Sequence, residues 1–194
     1  MAHCVGPTGT GVLDDVLDLM LLPPVIGTSQ AIHVMNVTVG TYFSSVIDNE
    51  AIPFVMLHPY VQELIIPRSL TENHYVVLHV NICTAVITIY DSIASELSAA
   101  ILISNDHVLQ VNIWGTSTPT TYQLVPGPQQ ARGSNDCAIF AFRNVVMLLL
   151  RHQEIPILGG VTLCDGSEID RASFRALFDL AYPGMGRVYS MGRI

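Results

Sequence analysis

The sequence predicts one α+β domain with a central mixed β-sheet flanked by helices. Half of the 194 residues are hydrophobic, which is enough for one sizeable core and marginal for two. The neighbouring runs 74–80 and 85–90 are apolar on both faces and rich in β-branched residues, as expected of a central hairpin that is covered on both sides. Helical patterns are interspersed among such hairpin-linked strands, which favours α+β over a doubly wound parallel sheet. We therefore treat residues 1–194 as a single domain.

The first third of the chain is predicted to contain a helix followed by mostly extended segments. The helix covers 11–22, where apolar residues recur at helical spacing, and Pro23 ends it. The segments that follow are, in order, a strand over 32–39, a short helix or turn over 41–47, and strands or extended segments over 53–58 and 63–66.

After the hairpin the pattern alternates between helices and strands. Side-chain caps mark the starts of two of these helices, and a proline followed by glycine ends the last one. The predicted elements are a helix over 93–104 capped by Ser92, two strands over 108–114 and 120–125 joined by a turn, a helix that starts at Cys137, and a helix over 168–182 capped by Ser167.

The hairpin brings a histidine and an aspartate together. If its turn is symmetric about residues 81–84, paired positions sum to 165, and His74 then faces Asp91 across the two strands. Directly opposed Cβ atoms lie about 5 Å apart in such a pair. The sequence therefore predicts a His–Asp contact at one end of the sheet.

A cysteine stands where a polar, glycine-containing loop meets an apolar run. The loop covers 128–136 and the run 138–150, so Cys137 is predicted at the N-terminus of a buried helix. Unpaired backbone N–H groups at such a position favour a thiolate. The alternative interpretation is that Cys137 is a small buried hydrophobic residue. Gln130, seven positions earlier, could fold back beside the sulfur.

Together these side chains predict nucleophilic catalysis by a thiol. A cysteine nucleophile needs a base, the base needs an orienting carboxylate, and the tetrahedral oxyanion needs hydrogen-bond donors. In this interpretation His74 takes the proton of the Cys137 thiol and Asp91 fixes the imidazole tautomer. The Gln130 amide and the Cys137 backbone N–H form the oxyanion hole, with Gln129 as the alternative donor.

The same residues resemble the motifs of the ubiquitin-like-protein-specific (SUMO) proteases, in the clan of the adenovirus protease. That family shows HW-x-L, (Y/V)DS and PQQ-x-x-G-x-DCG, with the His and Asp spaced as they are here. The matching segments, from about residue 11 to 182, are His74–Leu78, Tyr90–Ser92 and Gln129–Cys137, with Val12–Asp15 similar to WLND, Thr41–Phe43 similar to SFFY, and 168–182 similar to the closing helix.

The resemblance implies a papain-like cysteine protease fold that needs no cofactor. The implied reaction is hydrolysis of a peptide or isopeptide bond after the C-terminal glycine of ubiquitin or a ubiquitin-like modifier. The enzyme would act as a monomer in the cytoplasm or nucleus, or in a host cell if it is an effector. The alternatives are a viral or mobile-element polyprotein protease and an acetyltransferase with the same site. A domain that only binds modifiers is disfavoured, because all four catalytic positions are filled.

The sequence departs from the family pattern at the substrate tunnel and near the nucleophile. Two tryptophans of the family line the tunnel over the substrate tail, and the corresponding residues are Tyr75 and Val12. With Asp14, these are the predicted substrate-binding residues. The glycine after the nucleophile is replaced by Ala138, and Gln130 has the longer spacing of the adenovirus-type proteases.

Composition argues against several other classes of function. The net charge is −8 and the eight basic residues are scattered singly, so a nucleic-acid partner is not expected. Four cysteines without a CxxC pair predict a reducing compartment and no metal site. No uncharged apolar run reaches the roughly 18 residues of a membrane span. The first 30 residues lack the basic start of a signal peptide.

Overall fold

The computed structural model describes ten stretches of the chain that form two compact units. One unit is Ser29–Gln129, and the other combines Met1–Thr28 with Gln130–Ile194. The strand predicted over 53–58 and, apart from Ile93, the helix predicted over 93–104 lie outside the described residues. The described residues are 14–22, 31–43, 59–71, 74–93, 106–115, 119–126, 129–130, 134, 136–151 and 170–183.

Helices and strands are mixed along the chain, as an α+β fold requires. The single-domain organisation of residues 1–194 stays a prediction. In chain order the described elements are helix α1 (Asp14–Met20), strand β1 (Ile32–Val34), helix α2 (Val37–Phe43), strands β2 (Glu63–Thr71), β3 (His74–Asn81) and β4 (Val86–Asp91), helix α3 (Asp106–Trp114), strand β5 (Thr121–Pro126), and helices α4 (Cys137–Arg151) and α5 (Arg171–Ala181).

The first unit is built on a mixed sheet in the order β1-β2-β3-β4-β5. Its three central strands are antiparallel, whereas β1 runs parallel to β2 and β5 runs parallel to β4. One face of the sheet is apolar and packs against helix residues, and each such side chain contributes about 1.5–3 kcal/mol when fully buried. The core of this face consists of Met35, Leu64, Ile66, Val76, Leu78, Val80, Ile87, Ile89 and Leu109. The predicted central mixed sheet is confirmed.

The register of the β3–β4 hairpin differs from the prediction by two residues. The turn covers residues 82–85 instead of 81–84, and Ala85 adopts a left-handed conformation with φ 53°. As a result Val76, not His74, is the direct partner of Asp91. Because side chains alternate between the two faces with a period of two, a shift of two residues keeps His74 on the same face as Asp91.

The strand predicted over 108–114 is wrong, because this segment forms helix α3. Alternation would bury Val111 together with Leu109, yet Leu109 is buried and Val111 is 53% exposed. The helix supplies the crossover that two parallel strands need between β4 and β5. Gly115, with φ 70°, ends it by donating its N–H to the Val111 carbonyl at 2.9 Å.

The strand predicted over 32–39 is too long. It ends at Val34, and helix α2 starts where the prediction placed its last residues. The cause is Asn36, whose Oδ1 accepts a hydrogen bond from the Val39 N–H at 2.7 Å and caps the helix. The helix lies very close to β2, since a Cβ at Gly40 would overlap the carbonyl oxygen of Pro67.

In the second unit, helix α4 begins at Cys137 as predicted and is buried along most of its length. The Phe142 ring packs edge-to-face on Phe174 of α5, with 5.2 Å between the ring centroids. The predicted cap of α5 is wrong by three residues. Asp170, not Ser167, is the cap, because its carboxylate accepts the Ser173 N–H at 2.8 Å.

Within the described part of the chain, every helix is too short or too polar to cross a membrane.

Candidate active site

The sheet unit holds a histidine–aspartate pair at the point where β3 begins and β4 ends. His74 Nε2–H donates to Asp91 Oδ1 at 2.9 Å. The His74 side chain is 14% exposed and that of Asp91 is fully buried. The two residues are diagonal neighbours on one sheet face, so the imidazole reaches back across the strands to the carboxylate. The structure thus brings together the two residues that the sequence analysis paired.

Asp91 is held from both its side chain and its backbone. Its Oδ1 also accepts the backbone N–H of Ile93 at 2.8 Å, and its carbonyl oxygen accepts from Gln129 Nε2 at 3.2 Å. A buried carboxylate is stable only when such donors compensate for lost water. Because a carboxylate only accepts, the contact places a proton on His74 Nε2. Nδ1 is the ring atom that can then exchange a proton.

Cys137 is the first residue of helix α4 in the second unit. Its side chain is buried, with a relative exposure of 4%, and it is not part of a disulfide. The Asp136 carbonyl accepts the Phe140 N–H at 3.0 Å and closes the first turn around the cysteine. The predicted position of Cys137 at the N-terminus of a buried helix is confirmed. The first-turn N–H groups of a helix favour a negative charge at this place.

The two neighbouring glutamines make different contacts. Gln130 Nε2 donates to the Ser134 carbonyl at 3.0 Å, within the loop that leads to Cys137. Gln129 instead donates to Asp91 in the sheet unit. This difference favours Gln130 as the donor to an oxyanion, a role that stays a prediction.

The predicted substrate-binding residues lie in different places. Tyr75 follows His74 on β3, so its side chain is on the opposite sheet face, where it is buried. Asp14 is the first residue of α1. Val12 lies outside the described residues. The three substrate-binding roles stay predictions.

Arg68 is buried on the same sheet face as Asp91, and no role was predicted for it from the sequence. Burial removes water from the charged guanidinium and lowers the pKa of Arg68 to about 10. It therefore carries its charge at neutral pH. A charged residue at an inward position of an apolar strand was the only signal for it in the sequence.

A second histidine–carboxylate pair lies on the opposite face of the sheet. His79 Nε2 hydrogen-bonds Glu63 Oε2 at 2.6 Å, again between diagonal neighbours. His79 was predicted to point away from His74, which the strand register confirms. Among the described residues, no cluster of three or more His, Cys, Asp or Glu side chains could hold a metal ion.

Comparison with known proteins finds similarity in structure. No protein-family model matches the sequence, and no curated protein matches it significantly. The C-terminal Ulp1 protease domain in complex with Smt3, the yeast orthologue of SUMO, matches with a TM-score of 0.59 and 11% identity over 96% of this chain and 80% of that chain. SUMO protease Ulp1 with its catalytic cysteine oxidised to a sulfonic acid matches at 0.57, with 12% identity over 96% and 81%. A mutant of Xanthomonas XopD matches at 0.58, with 16% identity over 87% and 98%.

These similarities cover most of this chain and most of each neighbour. They agree with the fold that the sequence motifs indicate, namely a mixed sheet followed by a buried helix that begins with the cysteine. This chain has the fold of the Ulp1-type SUMO protease domain.

Proposed function

We propose that this chain is a cysteine peptidase that cleaves the peptide or isopeptide bond after the C-terminal glycine of a ubiquitin-like modifier. The observation that carries the proposal is the hydrogen-bonded pair of His74 and Asp91, in a chain with the Ulp1-type fold. The position of Cys137 at the start of a buried helix supports it. A histidine oriented by a buried carboxylate is the general base that a thiol nucleophile requires.

In the proposed mechanism Cys137 Sγ attacks the carbonyl carbon of the last glycine of the modifier. The thiol proton passes to His74 Nδ1, while Asp91 Oδ1 holds the Nε2–H and stabilises the imidazolium. The reaction therefore requires the sulfur to lie within hydrogen-bond reach of Nδ1. The Cys137 backbone N–H and the Gln130 amide stabilise the oxyanion, and the hydrogen bond to Ser134 orients that amide.

The tetrahedral intermediate collapses by breaking the bond between carbon and nitrogen. His74 Nδ1–H donates its proton to the leaving amine, which departs and leaves a thioester on Cys137. Water then attacks the thioester with His74 as the base, which releases the modifier with a free C-terminal carboxylate and restores the thiol. No cofactor enters this sequence of steps.

SUMO-type modifiers are the proposed substrate class. The support is a structural neighbour, the Ulp1 domain, which is in complex with Smt3.

We further propose that the enzyme acts as a monomer inside the cell, in the cytoplasm, the nucleus or a host cell. The support for this location is a sequence with four cysteines and no CxxC pair, which is typical of a reducing compartment.

The proposal is tested with fluorogenic C-terminal amides of SUMO, ubiquitin and other ubiquitin-like modifiers. We expect release of the fluorophore from at least one modifier, with SUMO the preferred one, because the reaction needs a modifier tail ending in glycine. The matched control is the same modifier without its last two residues, which should not be cleaved. If the folded protein releases no fluorophore from any modifier, the proposal is wrong. Transfer of labelled acetyl groups from acetyl-coenzyme A would then identify an acyltransferase.

A further inference from the structure

The side chain of Gln129 forms a bridge to the end of a neighbouring strand. Its Nε2 donates to the backbone carbonyl of Asp91 at 3.2 Å. Both residues belong to the sheet unit. Strand β5 runs parallel to β4, with Pro126 opposite Asp91, so the two strands end side by side. The contact therefore ties Gln129 to the aspartate of the His–Asp pair.

Hydrogen bonds from His74, Ile93 and Gln129 converge on this one aspartate. The carboxylate oxygen Oδ1 accepts from His74 Nε2 and from the Ile93 N–H, while the carbonyl oxygen accepts from Gln129. Asp91 is the last residue of β4 and is almost completely buried, so a hydrogen bond to its carbonyl oxygen helps to fix the backbone at this point. The direction of the carboxylate depends on how the backbone is held at this point.

We propose that Gln129 is a positioning residue, which fixes the Asp91 backbone and through it the orientation of the His74 imidazole. This inference rests on the proposed function of His74 and Asp91. It assigns separate tasks to two adjacent glutamines, since Gln130 donates to the Ser134 carbonyl in the loop before Cys137. The Gln129 amide acts on the carboxylate side of the imidazole and has no direct contact with the reacting carbonyl.

The loss of an oxyanion donor and the loss of a positioning residue change the pH dependence of the rate in different ways. Loss of an oxyanion donor lowers the rate at every pH by a similar factor. Loss of the Gln129 contact should weaken the stabilisation of the imidazolium by Asp91, because a nearby carboxylate favours the charged form of a histidine. The other described titratable groups on this sheet face are Arg68, His33 and Tyr122, and they are unchanged in all the variants below.

The test compares Gln129→Met, which keeps the length of the side chain but loses the donor, with Gln123→Met. Gln123 is exposed on β5 and serves as the matched control in the same unit. We expect Gln129→Met to lower kcat by about 10-fold to 100-fold with little change in KM, since small misplacements of catalytic groups have effects of this size. The acidic limb of its kcat/KM profile, which reports protonation of the His74 base, should move to lower pH. Gln123→Met should match the wild type in both measurements.

A second measurement does not depend on turnover. NMR titration of the His74 imidazole, assigned with a His74→Ala variant, should show the Gln129→Met protein titrating at lower pH than the wild type and Gln123→Met. Gln129 is exposed, so the substitution should be tolerated, and circular dichroism checks the fold. If Gln129→Met titrates like the wild type, or loses rate uniformly without a shift, the positioning role is wrong. If the titration of His74 differs between the wild type and Gln129→Met but the wild type cleaves no modifier, the positioning role stands and the proposed function is wrong.

Discussion

Replacement of Cys137 by alanine should abolish cleavage of the modifier while the protein stays folded. We expect kcat to fall by at least about 10⁴-fold, because removal of a covalent nucleophile leaves only binding and oxyanion stabilisation. The substitution removes one sulfur atom at the first position of α4, and alanine is the best helix former. The change in Tm should therefore be no larger than the roughly 2–4 °C that correspond to 1 kcal/mol.

The matched control is Cys83→Ala. Cys83 is exposed in the turn between β3 and β4, and its loss should leave the initial rate unchanged. The measurement is the initial rate of fluorophore release for both variants, with thermal denaturation of each. Full activity in Cys137→Ala, or a comparable loss in Cys83→Ala, would show that the nucleophile is wrongly assigned.

Asp91→Asn should lower kcat by about 10³-fold to 10⁴-fold with a smaller change in KM. The amide keeps the shape of the side chain but loses the negative charge that orients His74 Nε2–H and stabilises the imidazolium. The measurement is steady-state kinetics across pH. The expected profile retains little activity even at its optimum.

The second histidine–carboxylate pair supplies the control for this experiment. Glu63→Gln makes the same chemical change at the 2.6 Å contact with His79, on the opposite sheet face. It should leave kcat within about twofold of the wild type, as expected for a position away from the chemistry. An equal loss in both variants would mean that a damaged sheet, rather than a missing triad member, explains the effect of Asp91→Asn.

The His–Asp pair could be predicted from the sequence although its register could not. The position of the turn depends on Ala85, which is left-handed without being a glycine, so no residue type marks it. The prediction therefore misplaced the turn and paired His74 directly with Asp91. The error was two residues. Because side chains alternate between the two faces, His74 and Asp91 still lie on the same face.

Other features depend on long-range packing that a sequence pattern does not contain. The segment 108–114 is rich in β-branched residues, yet it forms a helix that buries Leu109 in the core on the sheet and leaves Val111 exposed. The contact of Gln129 with Asp91 was not predictable either. It arises because β5 runs parallel to β4, and the sequence analysis did not assign that direction. The position of Cys137, in contrast, followed from a polar loop that meets a long apolar run.

The most direct test of the proposed peptidase is the intact mass of the protein after incubation with modifiers that carry an electrophile at the C-terminus. SUMO, ubiquitin and other modifiers are each incubated with the wild type, Cys137→Ala and Cys83→Ala. We predict a single adduct, equal in mass to one modifier, on the wild type and on Cys83→Ala, and none on Cys137→Ala. No adduct with any modifier on the folded wild type, or an adduct that persists in Cys137→Ala, would contradict the account.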